Sequence, residues 1–157
     1  MTLLFADIES STVLLERRGT VTYAGVLTRL RETIRQAVAR HGGTEVDTHG
    51  DAAFCVFPRA ENAVEAAVEI QLSLAGDELR MRMGIHTGTP TRTDEGYVGR
   101  DVHRAARVCA AGHGGDILLS DSTRRALDAR YVSRDLGEQE LRGLERPVRL
   151  HRLELGA

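Results

Sequence analysis

The chain has 157 residues, 41% of them hydrophobic, the length of one domain able to bury ~70% of the surface its unfolded form exposes. A formal net charge of −2 removes any global electrostatic argument for nucleic acid or an anionic membrane, and the 21 basic residues are all Arg, which excludes a P-loop lysine and a Schiff-base lysine. No apolar run approaches the ~20 residues of a membrane span, and Asp7 and Glu9 in the first turn of sequence are foreign to a secretory leader, so a cytoplasmic chain is expected.

Leu3-Leu4-Phe5-Ala6 stops at Asp7 and reads as a buried strand with acidic residues at its exit. Glu9-Ser10-Ser11-Thr12 is polar and turn-like. From Val21 to His41 the period is helical, with Leu27, Leu30, Ile34 and Val38 on one face, and Gly42-Gly43 stops it. Thr44–Thr48 and Ala52–Phe57 read as strands of a hairpin around His49-Gly50-Asp51, ended by Pro58. Ala60, Ala63, Val64, Ala67, Val68 and Leu72 form the stripe of a second helix. Leu79–Thr87 alternates as a strand, with Met81, Met83 and Ile85 on one face. Thr89–Tyr97 is a polar, turn-rich arm. Val102–Ala111 is helical, Asp116–Leu119 is a short strand, and Ser120–Ala129 is a short helix with Ser120 as N-cap. Tyr131–Leu155 reads as strands around a turn at Gly143 to Pro147. Cys55 and Cys109 lie in apolar segments without CxxC spacing, as reduced buried thiols do.

The order β-α-β-β-α-β-α-β-α-β-β predicts an α+β fold. A ferredoxin-like β-α-β-β-α-β core is extended to a seven- or eight-stranded, mostly antiparallel sheet with helices packed on it, in one domain over residues 1–157.

Two acids invite chemistry: Asp7 at a strand end and Asp51 at a hairpin tip. In a ferredoxin-like sheet these places can be neighbours, and two carboxylates brought together repel unless a cation lies between them. Oxygen ligands favour Mg²⁺ or Mn²⁺, and two such ions ~3.5–4 Å apart can grip both ends of a phosphoryl displacement. Taken on spacing alone, a solvated pair of strand-end acids is the simpler reading. The same holds for His103 and Arg107, which share a helix face four residues apart and suit either a phosphate or an ordinary surface. His41, His49, His86, His113 and His151 show no ligand spacing and read as structural or exposed.

Five segments together are more specific. Phe5-Ala6-Asp7-Ile8-Glu9-Ser10-Ser11-Thr12 resembles the metal-binding signature that opens class III adenylate and guanylate cyclase domains, and His49-Gly50-Asp51-Ala52 resembles their second metal-aspartate hairpin. Met81 to Gly88 looks like the strand that follows. Tyr97-Val98-Gly99-Arg100-Asp101-Val102-His103-Arg104-Ala105-Ala106-Arg107 resembles their transition-state helix, and Gly137-Glu138 through Leu141-Arg142-Gly143 and Pro147 resembles their closing hairpin. The pieces occur in order through nearly the whole chain, so the sequence is identified as a member of this family.

The resemblance implies a head-to-tail homodimer with active sites between the protomers. The reaction turns a purine nucleoside triphosphate into a 3′,5′-cyclic monophosphate and pyrophosphate. Asp7, Asp51 and the backbone carbonyl of Ile8 would hold two divalent metal ions (Mg²⁺ or Mn²⁺). Glu9, Ser10, Ser11 and Thr12 would offer backbone N–H groups to the phosphates, and Arg82 sits where the family places a phosphate-contacting arginine. From the partner protomer, Arg107 would stabilise charge growing on the α-phosphate. Arg142 stands in place of a triphosphate-binding lysine, keeping its charge and adding a planar fork. Neither nucleic acid nor, for this segment, a membrane is implied as a partner.

Three positions depart from the pattern. The lysine and aspartate with which adenylate cyclases read adenine fall on Asp47 and Gly96, and the transition-state asparagine falls on His103. A carboxylate only accepts hydrogen bonds, so Asp47 suits the two adjacent donors of guanine, whereas bacterial relatives of this type are read as adenylate cyclases. ATP is favoured on that ground and GTP stays open. A neutral imidazole at His103 has one donor for ribose or phosphate. The alternative from another class is a catalytically degenerate module that binds nucleotide or dimerises and regulates an attached partner.

Overall fold

The computed structural model of the chain describes residues 1–9, 11–75, 79–94 and 96–155, and of residues 11, 12, 14 and 49 the backbone alone. Its elements run β1 (Thr2–Ile8), α1 (Ser11–Arg18), α2 (Thr20–Arg40), β2 (Thr44–His49), β3 (Ala52–Phe57), α3 (Ala60–Ser73), β4 (Met81–Thr87), β5 (Thr91–Thr93), β6 (Gly96–Val98), α4 (Arg100–Ala110), β7 (Ile117–Ser120), α5 (Asp121–Ala126), β8 (Ser133–Gln139) and β9 (Val148–Leu153).

Seven strands form one sheet in the order β2-β3-β1-β4-β7-β9-β8. Its first four strands are the ferredoxin-like unit expected from the sequence, and β7, β9 and β8 extend it. Every pairing is antiparallel except β4 with β7. The sheet is buried on both faces. One face of β1, β3 and β4 presents Leu4, Ala6, Cys55, Phe57, Met81, Met83 and Ile85 to a core closed by Leu30, Ile34 and Val38 of α2 and Ala63, Val64 and Ile70 of α3. The other face carries Leu3, Phe5, Phe54 and Val56 and packs against Val102 and Ala105 of α4. Period-two alternation sends successive residues of a strand to opposite layers, so Arg82, Gly84 and His86 of β4 all turn toward the α4 side.

Gly84 sets how closely α4 approaches. A Cβ built there would lie 2.2 Å from the backbone nitrogen of Cys109 and 2.5 Å from its Cα. Only a residue without a side chain lets the helix lie flat on the strand at that point.

Several local expectations are corrected. The turn-like reading of residues 9–12 gives way to α1, which starts at Ser11; a helix of eight residues with exposed Val13 shows no clean apolar stripe to read. The polar arm folds into the two-stranded β5–β6 hairpin. Leu72, assigned to the buried stripe of α3, is 61% exposed. The centre of that face at this turn belongs instead to Gln71, whose amide donates to the carbonyls of Met81 and Asp116 at 2.9 and 3.3 Å. Ser120 occupies the N-cap of α5 without capping it; its hydroxyl lies 2.7 Å from Nδ1 of His86.

Candidate active site

Asp7 and Asp51, far apart in sequence, lie toward the same end of the sheet. The β1–β3 register runs to Ala6 opposite Ala53, so one further step brings Asp7 beside Ala52 and next to the tip bearing Asp51. Both acids are half-buried. Gly50 at the tip has φ +55°, a left-handed conformation that suits glycine. Arg31 reaches across from α2 to donate to the Gly50 carbonyl at 2.6 Å, pinning the tip to the helix.

Asp7 already has a cationic partner. Arg82 stands directly opposite it in the β1–β4 register and donates through Nε and Nη2 to its two carboxylate oxygens at 2.5 and 3.1 Å. Arg82 also donates to the Ala110 carbonyl near the end of α4 at 3.3 Å. Strand pairing thus brings together two residues that the sequence reading assigned to metal and to phosphate separately.

The donor set fits a hard divalent cation. Asp7 and Asp51 offer carboxylate oxygens on adjoining strand ends, and Ile8 offers a backbone carbonyl at the same end, the ligand type Mg²⁺ and Mn²⁺ prefer. No group of three or more His, Cys, Asp or Glu that could hold a metal occurs among the described residues, so a cation here would draw its remaining ligands from water or a bound phosphate. Glu9 points elsewhere: its carboxylate accepts from the Gly114 N–H at 2.5 Å and lies 3.5 Å from Nδ1 of His113. That fastens the exit of β1 to the loop after α4. Ser10 lies outside the described residues, as do the side chains of Ser11 and Thr12.

On the α4 side of the sheet, Phe5 and Phe54 stack at 4.4 Å between ring centroids and floor a cleft of about 440 Å³ that Asp47, Tyr97 and Val102 border. Gly96, at φ +124°, brings its α-carbon against Val46, whose Cγ1 is 3.6 Å from where a Cβ would be. Of the two positions that depart from the adenine-reading pattern, Asp47 borders this cleft directly, and Gly96 stands beside it, next to Tyr97 and against Val46. Sequence reasoning did not single out Phe5, Phe54 or Tyr97 as lining residues, because on one strand they look like ordinary core aromatics.

Farther along α4, His103 is exposed and Arg107 half-buried. The Arg107 guanidinium lies against the turn that carries Arg142: a Cβ on Gly143 would be 3.9 Å from both its Nε and its Nη2. A second cleft of about 510 Å³ is bordered by Arg100, His103, Arg104 and Arg146 together with Glu145, a surface on which three guanidinium groups outnumber one carboxylate. Among the described residues, the side-chain hydrogen bonds of Asp7 and Arg82 run to each other and to the Ala110 carbonyl, not to Arg107 or Arg142.

A seven-stranded sheet with its first β-α-β-β-α-β unit at one edge, paired acids at a strand end and a basic helix over the opposite layer define a class of nucleotide-processing domain. The family profile described as adenylate and guanylate cyclase catalytic domain matches residues 1–154, and the chain belongs to that family. An uncharacterized protein of Mycobacterium tuberculosis is 38% identical over 156 residues, covering 94% of this chain and 53% of the relative. The chain thus spans about half the length of the curated relatives it first matches. Among solved structures, an adenylate cyclase of Trypanosoma brucei in its monomeric state superposes with a TM-score of 0.87 at 27% identity, covering 97% of this chain and 88% of the other. The catalytic core of a rhodopsin-guanylyl cyclase with converted specificity, in complex with ATPαS, gives 0.89 at 26% identity, covering 98% and 94%. No helix among the described residues is long and apolar enough to cross a membrane.

Proposed function

We propose that the chain is a nucleotide cyclase that converts a purine nucleoside triphosphate, ATP or GTP, to its 3′,5′-cyclic monophosphate and pyrophosphate at the interface of a head-to-tail homodimer. The observation that carries this reading is that Asp7, near the end of β1, and Asp51, at the tip between β2 and β3, lie toward the same end of the sheet beside the Asp7–Arg82 pair. Asp7, Asp51 and the Ile8 carbonyl would hold two divalent cations, which when bound acidify the ribose 3′-OH and steady the departing pyrophosphate.

The chain's own residues account for the rest. The 3′-oxygen attacks the α-phosphorus in line, a new O–P bond forms, and the bond to the β-phosphate oxygen breaks. Arg82 holds Asp7 in place and faces the phosphates. From the partner protomer, the cleft between Asp47 and Gly96 takes the purine against Phe5, Phe54 and Tyr97. Arg107 and Arg142, whose elements touch each other, supply positive charge to the triphosphate; a preplaced cation of this kind is typically worth ~100-fold or more in rate. His103 is placed to donate one hydrogen bond to ribose or phosphate. That neither Asp7 nor Arg82 is bonded through its side chain to Arg107 or Arg142 among the described residues supports a site shared between two copies. A guanylyl-cyclase neighbour of converted specificity that holds ATPαS supports the view that this fold can accept either base.

The test is mass spectrometry of the products after the purified chain is incubated with Mn²⁺ and ATP or GTP separately. A cyclic nucleotide that disappears in Asp51→Ala is the expected result and names the base. A second reading, a degenerate nucleotide-binding module, is favoured by the specific residues Asp47, Gly96 and His103. Binding without product from either nucleotide, at dimer-forming concentrations, would establish it instead.

A further inference from the structure

The β4 residue nearest the start of α4 is His86, and it is 3% exposed. Its Nε2 lies 2.7 Å from Oδ1 of Asp101 and its Nδ1 2.7 Å from the Ser120 hydroxyl. A carboxylate only accepts, so Nε2 carries a proton; burial favours the neutral ring, whose Nδ1 then accepts from Ser120. The Ser122 hydroxyl, 3.3 Å from the same Nδ1, donates to the Thr87 carbonyl at 2.7 Å. The imidazole is thereby fixed in one tautomer on both sides.

Asp101 uses its second oxygen on the other strand end. Oδ2 accepts from the backbone N–H of Thr89 at 2.9 Å, and a Cβ on Gly88 would fall 2.3 Å from the Asp101 Cγ. One carboxylate therefore ties the exit of β4 to the first turn of α4. Between those two points lies the β5–β6 hairpin, which carries Tyr97 to the cleft over Phe5 and Phe54, with Gly96 beside it. Arg104, one turn on from Asp101, faces the pair with its charge.

We infer that Asp101, locked by His86, is a positioning residue: it closes the base of the β5–β6 arm and so sets where Gly96 and Tyr97 stand against Asp47, which makes it a determinant of base selection without touching the nucleotide. The inference rests on the cyclase reading for its purine ligand, but the clasp itself does not. The two oxygens of a charged carboxylate take the His86 ring N–H and the Thr89 N–H together; an apolar pair of the same volume would fill the space and leave the arm untied.

The experiment compares Asp101→Asn, His86→Leu and His86→Gln with the unaltered chain. It reads binding of fluorescent N-methylanthraniloyl-ATP and -GTP, amide hydrogen exchange and thermal unfolding. An asparagine amide can satisfy only one of the two donors, and His86→Leu removes the donor to Asp101. In both, exchange over residues 89–94 and 96–100 should rise about tenfold, and the ratio of the two nucleotide affinities should fall by a similar factor. Protection in β1, β3 and β4 should be kept. His86→Gln, whose Nε2 amide reproduces the donor, should restore both readouts. Unchanged exchange in the arm, or loss of protection spread evenly over the sheet, would overturn the inference. If the unaltered chain bound neither nucleotide, the cyclase reading and the role in base selection would both fall, while faster exchange confined to the arm would still uphold the clasp.

Discussion

Arg82 and Asp7 face each other across β4 and β1 and join through two hydrogen bonds, at 2.5 and 3.1 Å. The carboxylate proposed as a metal ligand is therefore held by a guanidinium, with its side chain 27% exposed. The pair is partly wet, so its stabilising effect is modest, yet it fixes the direction of both side chains. A cation arriving at Asp7 must compete with the guanidinium for the same oxygens. Arg82→Ala should thus bind Mn²⁺ more tightly in the absence of nucleotide, as read by calorimetry, and should lose about 100-fold in turnover because the phosphates lose a preplaced charge. Weaker Mn²⁺ binding would mean that the arginine preorganises Asp7 rather than competing for it.

Base choice should respond to Asp47 more cleanly than to Gly96. Asp47 borders the purine cleft from an exposed position on β2, and Asp47→Lys replaces an acceptor with a donor. The ratio of kcat/KM for ATP over GTP should rise at least tenfold. Gly96 has φ +124°, a conformation side chains rarely adopt. Restoring the second adenine reader as Gly96→Asp on top of Asp47→Lys should therefore strain the arm and lower kcat/KM for both nucleotides. Steady-state rates of the single and double variants decide this.

The contact at Gly84 should dominate the stability of the α4 layer. A methyl there meets backbone atoms of Cys109 at 2.2 and 2.5 Å, and backbone cannot swing aside as a flexible side chain would. Gly84→Ala should cost about 3 kcal/mol in urea unfolding. Relief of the overlap by lifting α4 would also shift Arg107 from its turn, so activity should fall more than stability alone explains.

Acid should weaken the fold through His86 before it reaches the carboxylates. Burial lowers the His86 pKa, and the hydrogen bond to Asp101 only partly offsets this. As pH falls through the unfolded value of about 6.5, the unfolded chain takes up a proton that the folded chain refuses, so stability declines from there down to the folded pKa. For Asp101, burial acts to raise the pKa, but the His86 and Thr89 hydrogen bonds prevail and lower it. Its contribution is present above the ordinary aspartate range and is lost at more acid pH. Urea midpoints measured from pH 7.5 to 5 should fall in the unaltered chain and fall less in His86→Gln. An equal fall in both would assign the acid sensitivity to other groups.

The α+β class, the order of the main strands and helices, the buried faces of α2 and β4, and the five segments that resemble the cyclase family are all legible along the chain. These are local quantities: strand and helix periods, glycine and proline stops, and motif spacing along one chain. Even α3 was legible except at Leu72, where a single turn of period 3.6 was misassigned because a polar Gln71 with two carbonyl partners took the buried slot. Tertiary structure alone decided which residues meet. Asp7 faces Arg82, Gly96 rests on Val46, Arg107 reaches the turn of Arg142, and His86 finds Asp101 because strand register and the close seat of α4 on Gly84 bring them there. Each of these pairings depends on contacts between segments remote in sequence, and no period or spacing within one segment encodes its partner in another.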